Sequence, residues 1–307
     1  MDYKFTYYGT SDFSAQILQG LVQSGLTPQL VISTLAKPAG RNLTVHSTPV
    51  SQLAASLGIE IWEVSNLKSV EQPAKIAARA HQFAILAAFG KIIPAAVLGC
   101  YPGGIINVHP SLLPLYRGPS PIQYAIKDGA AETGVSLIVL DNEIDHGPII
   151  AQSACALMPV DDAVTLANKL APLAVKLLLD NLPGYLNGLI TPKPQNHLQA
   201  TFSKMISRAD GQADFNKTAL AIGRQRRAFT PWPGLWTYWR EKRLKLIDVA
   251  VFDYQDTPGK VSLINNQVVI SCGQGSLAVK LLQLEGGKQL TAADFSRGHK
   301  DFIGSTL

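Results

Sequence analysis

The sequence predicts an α/β chain: a doubly wound, mostly parallel sheet followed by a small C-terminal β-barrel. Three observations carry that expectation. Over the first half, short β-prone runs alternate with helix-patterned segments, as parallel strands joined by crossover helices require. Beyond about residue 190 the pattern becomes short β-type runs separated by turns, the spacing of a small barrel. The chain has 307 residues, 47% hydrophobic and 16% charged, which is material for two cores and excludes a disordered chain. The predicted boundaries are a first domain at 1–190, a linker at 191–205 and a second domain at 206–307.

Phe5 to Tyr8 is a short β-prone run closed by Gly9, and Ser11 or Asp12 caps a helix whose Phe13, Ile17, Leu18 and Leu21 share one face. Gln29 to Leu35, Ile59 to Val64 and Ile105 to His109 read as strands, and Val50 to Leu57 and Val70 to Ala80 as helices. Phe83 to Phe89 is a continuous apolar run suited to a strand buried on both faces, and Pro94 suits a helix start. Val135 to Leu140 and Ile149 to Ser153 are predicted strands around the acidic turn Asp141 to Pro148. A long helix from Asp162 to about Leu182 is expected to stop at Pro183-Gly184, and the prolines of Pro192 to Asn196 suggest a stiff interdomain linker. Four later runs, Leu244 to Val251, Lys260 to Leu263, Gln267 to Cys272 and Leu277 to Leu284, are expected to build the barrel.

The N-terminus does not read as a secretory signal, and Phe83 to Cys100 is too short and interrupted to span a bilayer. Cys100, Cys155 and Cys272 are widely spaced, which predicts reduced thiols in a cytoplasmic protein rather than disulfides or a zinc site, and no His/Asp/Glu set has metal-ligand spacing. Charge is distributed unevenly. Residues 1–203 sum to −1 and residues 204–307 to +6, so a basic module follows a neutral one and points to a polyanionic partner.

The densest polar group is Asn107-Val108-His109-Pro110-Ser111. Asn107 and His109 are i and i+2 on a strand, so they face the same way near its carboxyl end, where a doubly wound sheet builds its cleft. An amide donor beside an imidazole suits stabilisation of an oxyanion, although such a pair also caps strands without doing chemistry. The loop Ser111 to Pro119 reads either as the apolar wall of a pocket for a flat heterocycle or as a buried connection. Asp145 reads either as plain turn chemistry or as a carboxylate that orients His109 and accepts a proton from an attacking amine. The three-glycine dinucleotide fingerprint is missing, which disfavours an oxidoreductase. Residues Lys217 to Lys245 hold eight Lys or Arg, one acid and the tryptophans Trp232, Trp236 and Trp239, a mixture that suits a nucleic-acid backbone with exposed bases. The expectation there is buried tryptophans and exposed cations.

Taken together, Asn107-x-His109-x-Ser111-Leu112-Leu113-Pro114-x-x-Arg117-Gly118, with Asp145 36 positions after His109, resembles the folate-dependent formyltransferases. Phe5 to Phe13, Lys37 to Arg41 and Ala228 to Gly234 extend the resemblance over essentially the whole chain, toward the members that formylate methionyl initiator tRNA. The resemblance implies a Rossmann-like catalytic domain, an OB-like barrel that helps hold the tRNA, and 10-formyltetrahydrofolate as cosubstrate without a metal. It also implies a catalytic trio of Asn107, His109 and Asp145, and a folate site at Ser111, Leu112, Leu113 and Pro114 with Phe89, Gly90 and Asp141. Lys37 and Arg41 would lie in a loop that reaches the tRNA, and Arg224, Arg226, Arg227, Lys242, Arg243 and Lys245 would form a basic tRNA surface. A cytoplasmic monomer with no membrane contact is expected.

Two departures stand out. Pro110 occupies a position where a small alanine is common among the tRNA-acting members, and the stretch Arg41 to Pro49 lacks their usual basic run. The alternatives are a sugar-nucleotide N-formyltransferase with the same trio, which has little use for eight cations between residues 217 and 245, and a non-catalytic RNA-binding protein, which has no need of the trio.

Overall fold

A computed structural model describes residues 3–39 and 44–307. The chain divides into two compact units. The first holds residues 1–121, 132–156 and 166–204, and the second holds 122–131, 157–165 and 205–307.

Up to the end of the long helix the elements run β1 (Phe5–Gly9), α1 (Asp12–Gln23), β2 (Leu30–Thr34), β3 (Lys37–Ala39), β4 (Thr44–His46), α2 (Pro49–Ser56), β5 (Glu60–Val64), α3 (Glu71–Ala77), β6 (Phe83–Ala87), α4 (Ala95–Leu98), β7 (Ile105–His109), α5 (Pro121–Asp128), β8 (Glu132–Val139), β9 (Ile149–Ala156) and α6 (Ala163–Leu186). Seven strands form one sheet in the order β5-β2-β1-β6-β7-β8-β9. The first five are parallel, while β8 and β9 are antiparallel additions at one edge. This is the doubly wound, mostly parallel sheet that the alternation predicts.

Side chains on successive β1 residues serve opposite faces. The Tyr7 hydroxyl donates to the Ser14 carbonyl on α1, whereas Tyr8 packs with Val97, Tyr101, Leu67 and Ile76 around α3 and α4. On the first face α1 meets α6 so closely at Gly20 that a Cβ there would lie 2.7 Å from the Val175 side chain. Ser11, not Asp12, caps α1 by accepting from Ser14 N. The chain order reverses between β1 and β6, so the ligand crevice of this fold class opens beyond Gly9 and Ala87, beside the end of β7.

Two expectations are corrected. Helix α6 runs through Pro183 to Leu186 instead of stopping there. Proline removes one donor and kinks a helix, but Leu177, Leu178 and Leu182 are buried and keep the last turns packed. The stretch Pro192 to Asn196 is not a free-standing linker, because Lys193 pairs with Ile149 and Gln195 is buried within the first unit.

The second unit adds α7 (Ala219–Ala228), β10 (Trp236–Trp239), β11 (Lys242–Phe252), β12 (Val261–Ile264), β13 (Gln267–Ser271), β14 (Ser276–Leu284), β15 (Gln289–Thr291) and α8 (Ala292–Gly298). Its antiparallel sheet runs β10-β11-β14-β13-β12 with β15 also on β14, around a core that includes Trp239, Leu244, Leu246, Ile270, Leu277 and Phe295. A bulge near Asp248 bends β11, a device that lets a long strand curl around a core, in keeping with an OB-like barrel. Two short stretches, 122–131 and 157–165, join this unit through local contacts. Gly129 lies against the Arg224 guanidinium, and Arg227 Nη1 donates to the Asp161 carbonyl at 2.9 Å. Among the described residues no helix is long and apolar enough to cross a membrane.

Candidate active site

Strand β7 ends in the central part of the sheet and delivers Asn107 and His109, both buried, to one face. The acidic turn between β8 and β9 brings Asp145 to them. Asn107 Nδ2 donates to Asp145 Oδ1 at 3.0 Å, His109 Nδ1 lies 3.6 Å from the same oxygen, and the Gly118 amide donates to Asp145 Oδ2 at 2.7 Å. His109 Nε2 faces the Tyr116 carbonyl at 3.0 Å. A carbonyl only accepts, so Nε2 carries a proton and Nδ1 is the nitrogen turned toward the carboxylate. The three residues expected from the sequence therefore lie together: an amide donor bonded to a carboxylate that also accepts from the Gly118 amide, and an imidazole whose Nδ1 is 3.6 Å from that carboxylate.

Asp145 itself has φ +48°, a conformation that L-residues other than Asn and Asp seldom adopt. Gly147 follows so near the Val139 carbonyl that a Cβ would sit 1.8 Å from its oxygen, so only glycine fits. The turn is thus tight where it presents the carboxylate.

The loop after His109 is braced from beneath. The Ser136 hydroxyl on β8 donates to the Ser111 carbonyl at 2.6 Å and accepts from Leu113 N at 3.0 Å, while Gln152 Nε2 donates to both Ser136 Oγ and the Leu113 carbonyl at 2.8 Å. Ser111 is fully buried, with its hydroxyl spent on the Leu115 carbonyl. Leu113 is buried as well, so of the expected folate residues Leu112 and Pro114 keep partly open side chains. At the crevice, Phe89 turns its ring into the core against Tyr8, and its carbonyl accepts from the Thr10 hydroxyl at 2.9 Å. Gly90, at φ +73°, has open space where a side chain would point. Asp141 is engaged with His146 Nδ1 at 2.6 Å and with Glu143 N at 3.0 Å.

Two contributors carried no recognisable sequence signal, Gln195 and His197, whereas Arg117 belongs to the motif that follows His109. Gln195 and His197 lie in the stretch whose prolines suggest a linker, yet Gln195 bonds the acid turn and His197 stacks on His146 with ring centroids 4.1 Å apart. Arg117 is buried and donates to Gln195 Oε1 from both Nε and Nη2.

The expected tRNA residues separate into two sets. Lys242 and Lys245 are exposed on β11. Arg224, Arg226 and Arg227 on α7, and Arg243 on β11, are half-buried, which corrects the expectation of uniformly exposed cations. Their aliphatic stems pack while the charged ends find local partners. Arg226 lies 3.4 Å from Asp248, and Arg243 stacks over Trp236 at 4.8 Å. Burial, then Arg226 and Arg224 nearby, pulls the Arg227 guanidinium below its ordinary value. Trp236 and Trp239 are buried as expected, but Trp232 is 56% exposed. Lys37 falls on β3, and Arg41 lies outside the described residues.

The doubly wound sheet with its Asn-His-Asp site, the model "Formyl transferase" matching residues 4–182 and the model "Formyl transferase, C-terminal domain" matching 205–300 define a formyl-transferring enzyme. Within that class the chain belongs to the methionyl-tRNA formyltransferase family: it is 37% identical over 302 residues to the methionyl-tRNA formyltransferase of Roseiflexus castenholzii, covering 97% of this chain and 96% of that one. Solved structures share the fold at lower identity. HypX from Aquifex aeolicus, in complex with tetrahydrofolic acid, matches at TM-score 0.64 and 18% identity over 99% of this chain, which spans 48% of that longer protein. The N-formyltransferase from Helicobacter canadensis, with folinic acid and dTDP-3-aminofucose, matches at TM-score 0.65 and 18% identity over 91% of this chain and 99% of that one.

Proposed function

We propose that the chain transfers the formyl group of 10-formyltetrahydrofolate to the amino group of methionyl initiator tRNA, as a cytoplasmic monomer serving translation initiation. The observation that carries the chemistry is the joined Asn107, His109 and Asp145 at the carboxyl end of β7. The folate supplies an activated formyl carbon; Leu112, Pro114 and the open backbone at Gly90 are the groups that would hold it.

The roles of the three side chains follow from their donors. As the amine attacks, negative charge develops on the formyl oxygen, and Asn107 Nδ2 and the His109 imidazole are the polar groups that would stabilise it. The attacking nitrogen must shed a proton, for which Asp145, with Oδ1 3.6 Å from His109 Nδ1, is the neighbouring carboxylate; as the new C–N bond forms the formyl carbon–N10 bond breaks, and that proton would leave on N10 of the released tetrahydrofolate. In the second unit, Lys242 and Lys245 with the half-buried arginines of α7 would lie along the tRNA backbone.

The test is a direct comparison of acceptors. The protein is incubated with 10-formyltetrahydrofolate and either methionyl initiator tRNA or a dTDP-amino sugar, and formylated product is measured. Formyl-methionine on the tRNA and no formyl sugar is the expected result; the reverse would overturn the reading in favour of a sugar-nucleotide enzyme.

A further inference from the structure

Gln195 is 50 positions from Asp145 in sequence, yet its carboxamide is wholly committed to the acid turn and to one arginine. Nε2 donates to the carbonyl oxygens of Asp145 at 2.9 Å and Gly147 at 2.8 Å, one on either side of His146. Oε1 accepts from Arg117 Nε at 3.2 Å and Nη2 at 2.7 Å. The orientation of the amide is unambiguous, because the two carbonyls only accept and the guanidinium only donates. Arg117 is fixed in turn: its amide donates to the Thr201 carbonyl at 2.9 Å, and its carbonyl accepts from Ser203 N at 2.7 Å.

The turn needs such a clamp. Asp145 sits at φ +48°, in a left-handed region that aspartate tolerates but does not prefer, so its surroundings must select that conformation. Two hydrogen bonds from one buried amide, flanking His146, supply that selection. We infer that Gln195 is a positioning residue for formyl transfer: through the backbone of Asp145 it sets the carboxylate against Asn107 and His109, and Arg117 fixes which end of its carboxamide faces the turn. This rests on the proposed role of Asp145.

The informative variant is Gln195→Glu. A carboxylate keeps an acceptor for Arg117, now with opposite charge, but it loses both donors and turns lone pairs toward the Asp145 and Gly147 carbonyls. The expected result is a kcat lowered roughly ten- to hundredfold, as small misplacements of catalytic groups produce, with the KM for 10-formyltetrahydrofolate and for methionyl-tRNA retained. Gln195→Ala also leaves the buried Arg117 Nε without its acceptor, with only His197 Nδ1 remaining for Nη2 at 2.8 Å, so it should lower the melting temperature as well as kcat. In an Asp145→Asn background, Gln195→Glu should cost no further rate, because both changes act on one group. Wild-type kcat in Gln195→Glu, or a loss confined to the melting temperature, overturns the positioning role and leaves the reading of Asp145 intact. Wild-type kcat in Asp145→Asn overturns the reading of the site itself.

Discussion

Gly118→Ala tests the catalytic loop at one atom. Gly118 has φ +105°, its amide donates to Asp145 Oδ2 at 2.7 Å, and a Cβ on it would sit 2.5 Å from the Ser203 carbonyl oxygen and 3.1 Å from Ser203 Oγ. Ser203 cannot easily retreat, since its amide donates to the Arg117 carbonyl at 2.7 Å and its hydroxyl accepts from Ser120 N at 3.0 Å. The loop must therefore move, and two costs arise. Forcing an L side chain into positive φ costs about 1–2 kcal/mol. Losing a hydrogen bond to an ionised carboxylate costs about 1.5–3 kcal/mol. The first acts on folding and, at roughly 2–4 °C per kcal/mol in a chain of this size, lowers the melting temperature by about 2–8 °C. The second acts on Asp145 and, at about 1.4 kcal/mol per decade, lowers kcat roughly 10- to 150-fold. Steady-state formylation of methionyl-tRNA and a thermal melt on the same preparation measure both. A variant with wild-type kcat and an unshifted melt refutes the geometry from which these figures come.

Asn107→Ala and His109→Ala should each lose on the order of a hundred- to a thousandfold in formylation turnover while the circular dichroism spectrum is kept, and near-normal turnover in either would end the oxyanion assignment. Replacing Lys242 and Lys245 together by Ala should weaken tRNA binding and make its logarithmic salt dependence shallower by about two, roughly one for each phosphate no longer neutralised; an unchanged slope places the tRNA elsewhere. His81 is buried against the Thr6 hydroxyl at 2.8 Å, and burial, then Arg79 and Lys4, pull its imidazole below the ordinary value. The unfolded chain therefore takes up the proton first as pH falls, so stability should decline as pH drops below roughly 6.5 and through the lowered value in the fold. Melting temperatures of the wild type and His81→Gln across pH 5–8 check this, and the variant should show the smaller dependence.

The parts of this molecule that were legible in the sequence are those governed by local pattern. Alternation of apolar runs locates β1, β2, β5, β6 and β7, and the i, i+2 spacing of Asn107 and His109 places both on one face of β7. What escaped depends on distant partners. The prolines at 192 and 194 correctly signal extended backbone, but only the folded chain shows that this backbone pairs with Ile149 and carries Gln195 to the acid turn. Pro183 breaks an isolated helix, and burial of Leu177, Leu178 and Leu182 outweighs that preference here. Phe89 is an aromatic beside the crevice, and nothing in its neighbourhood in sequence says that its ring turns inward to Tyr8. Charge counting located the basic third but not its texture, because the exposure of Arg224, Arg226 and Arg227 depends on packing around α7.

The brace beneath the Ser111 to Pro114 loop bears on how the enzyme acquires its one-carbon donor. Ser111, Leu113, Ser136 and Gln152 are hydrogen-bonded to one another, so a donor that uses this loop as proposed would meet a wall held by the protein's own bonds. Little conformational entropy remains for a ligand to remove from the wall, so binding energy is not consumed in building it. On the proposed reading, a donor held there would not need the tRNA to build this wall, and no obligatory order of substrate arrival would follow from the loop itself.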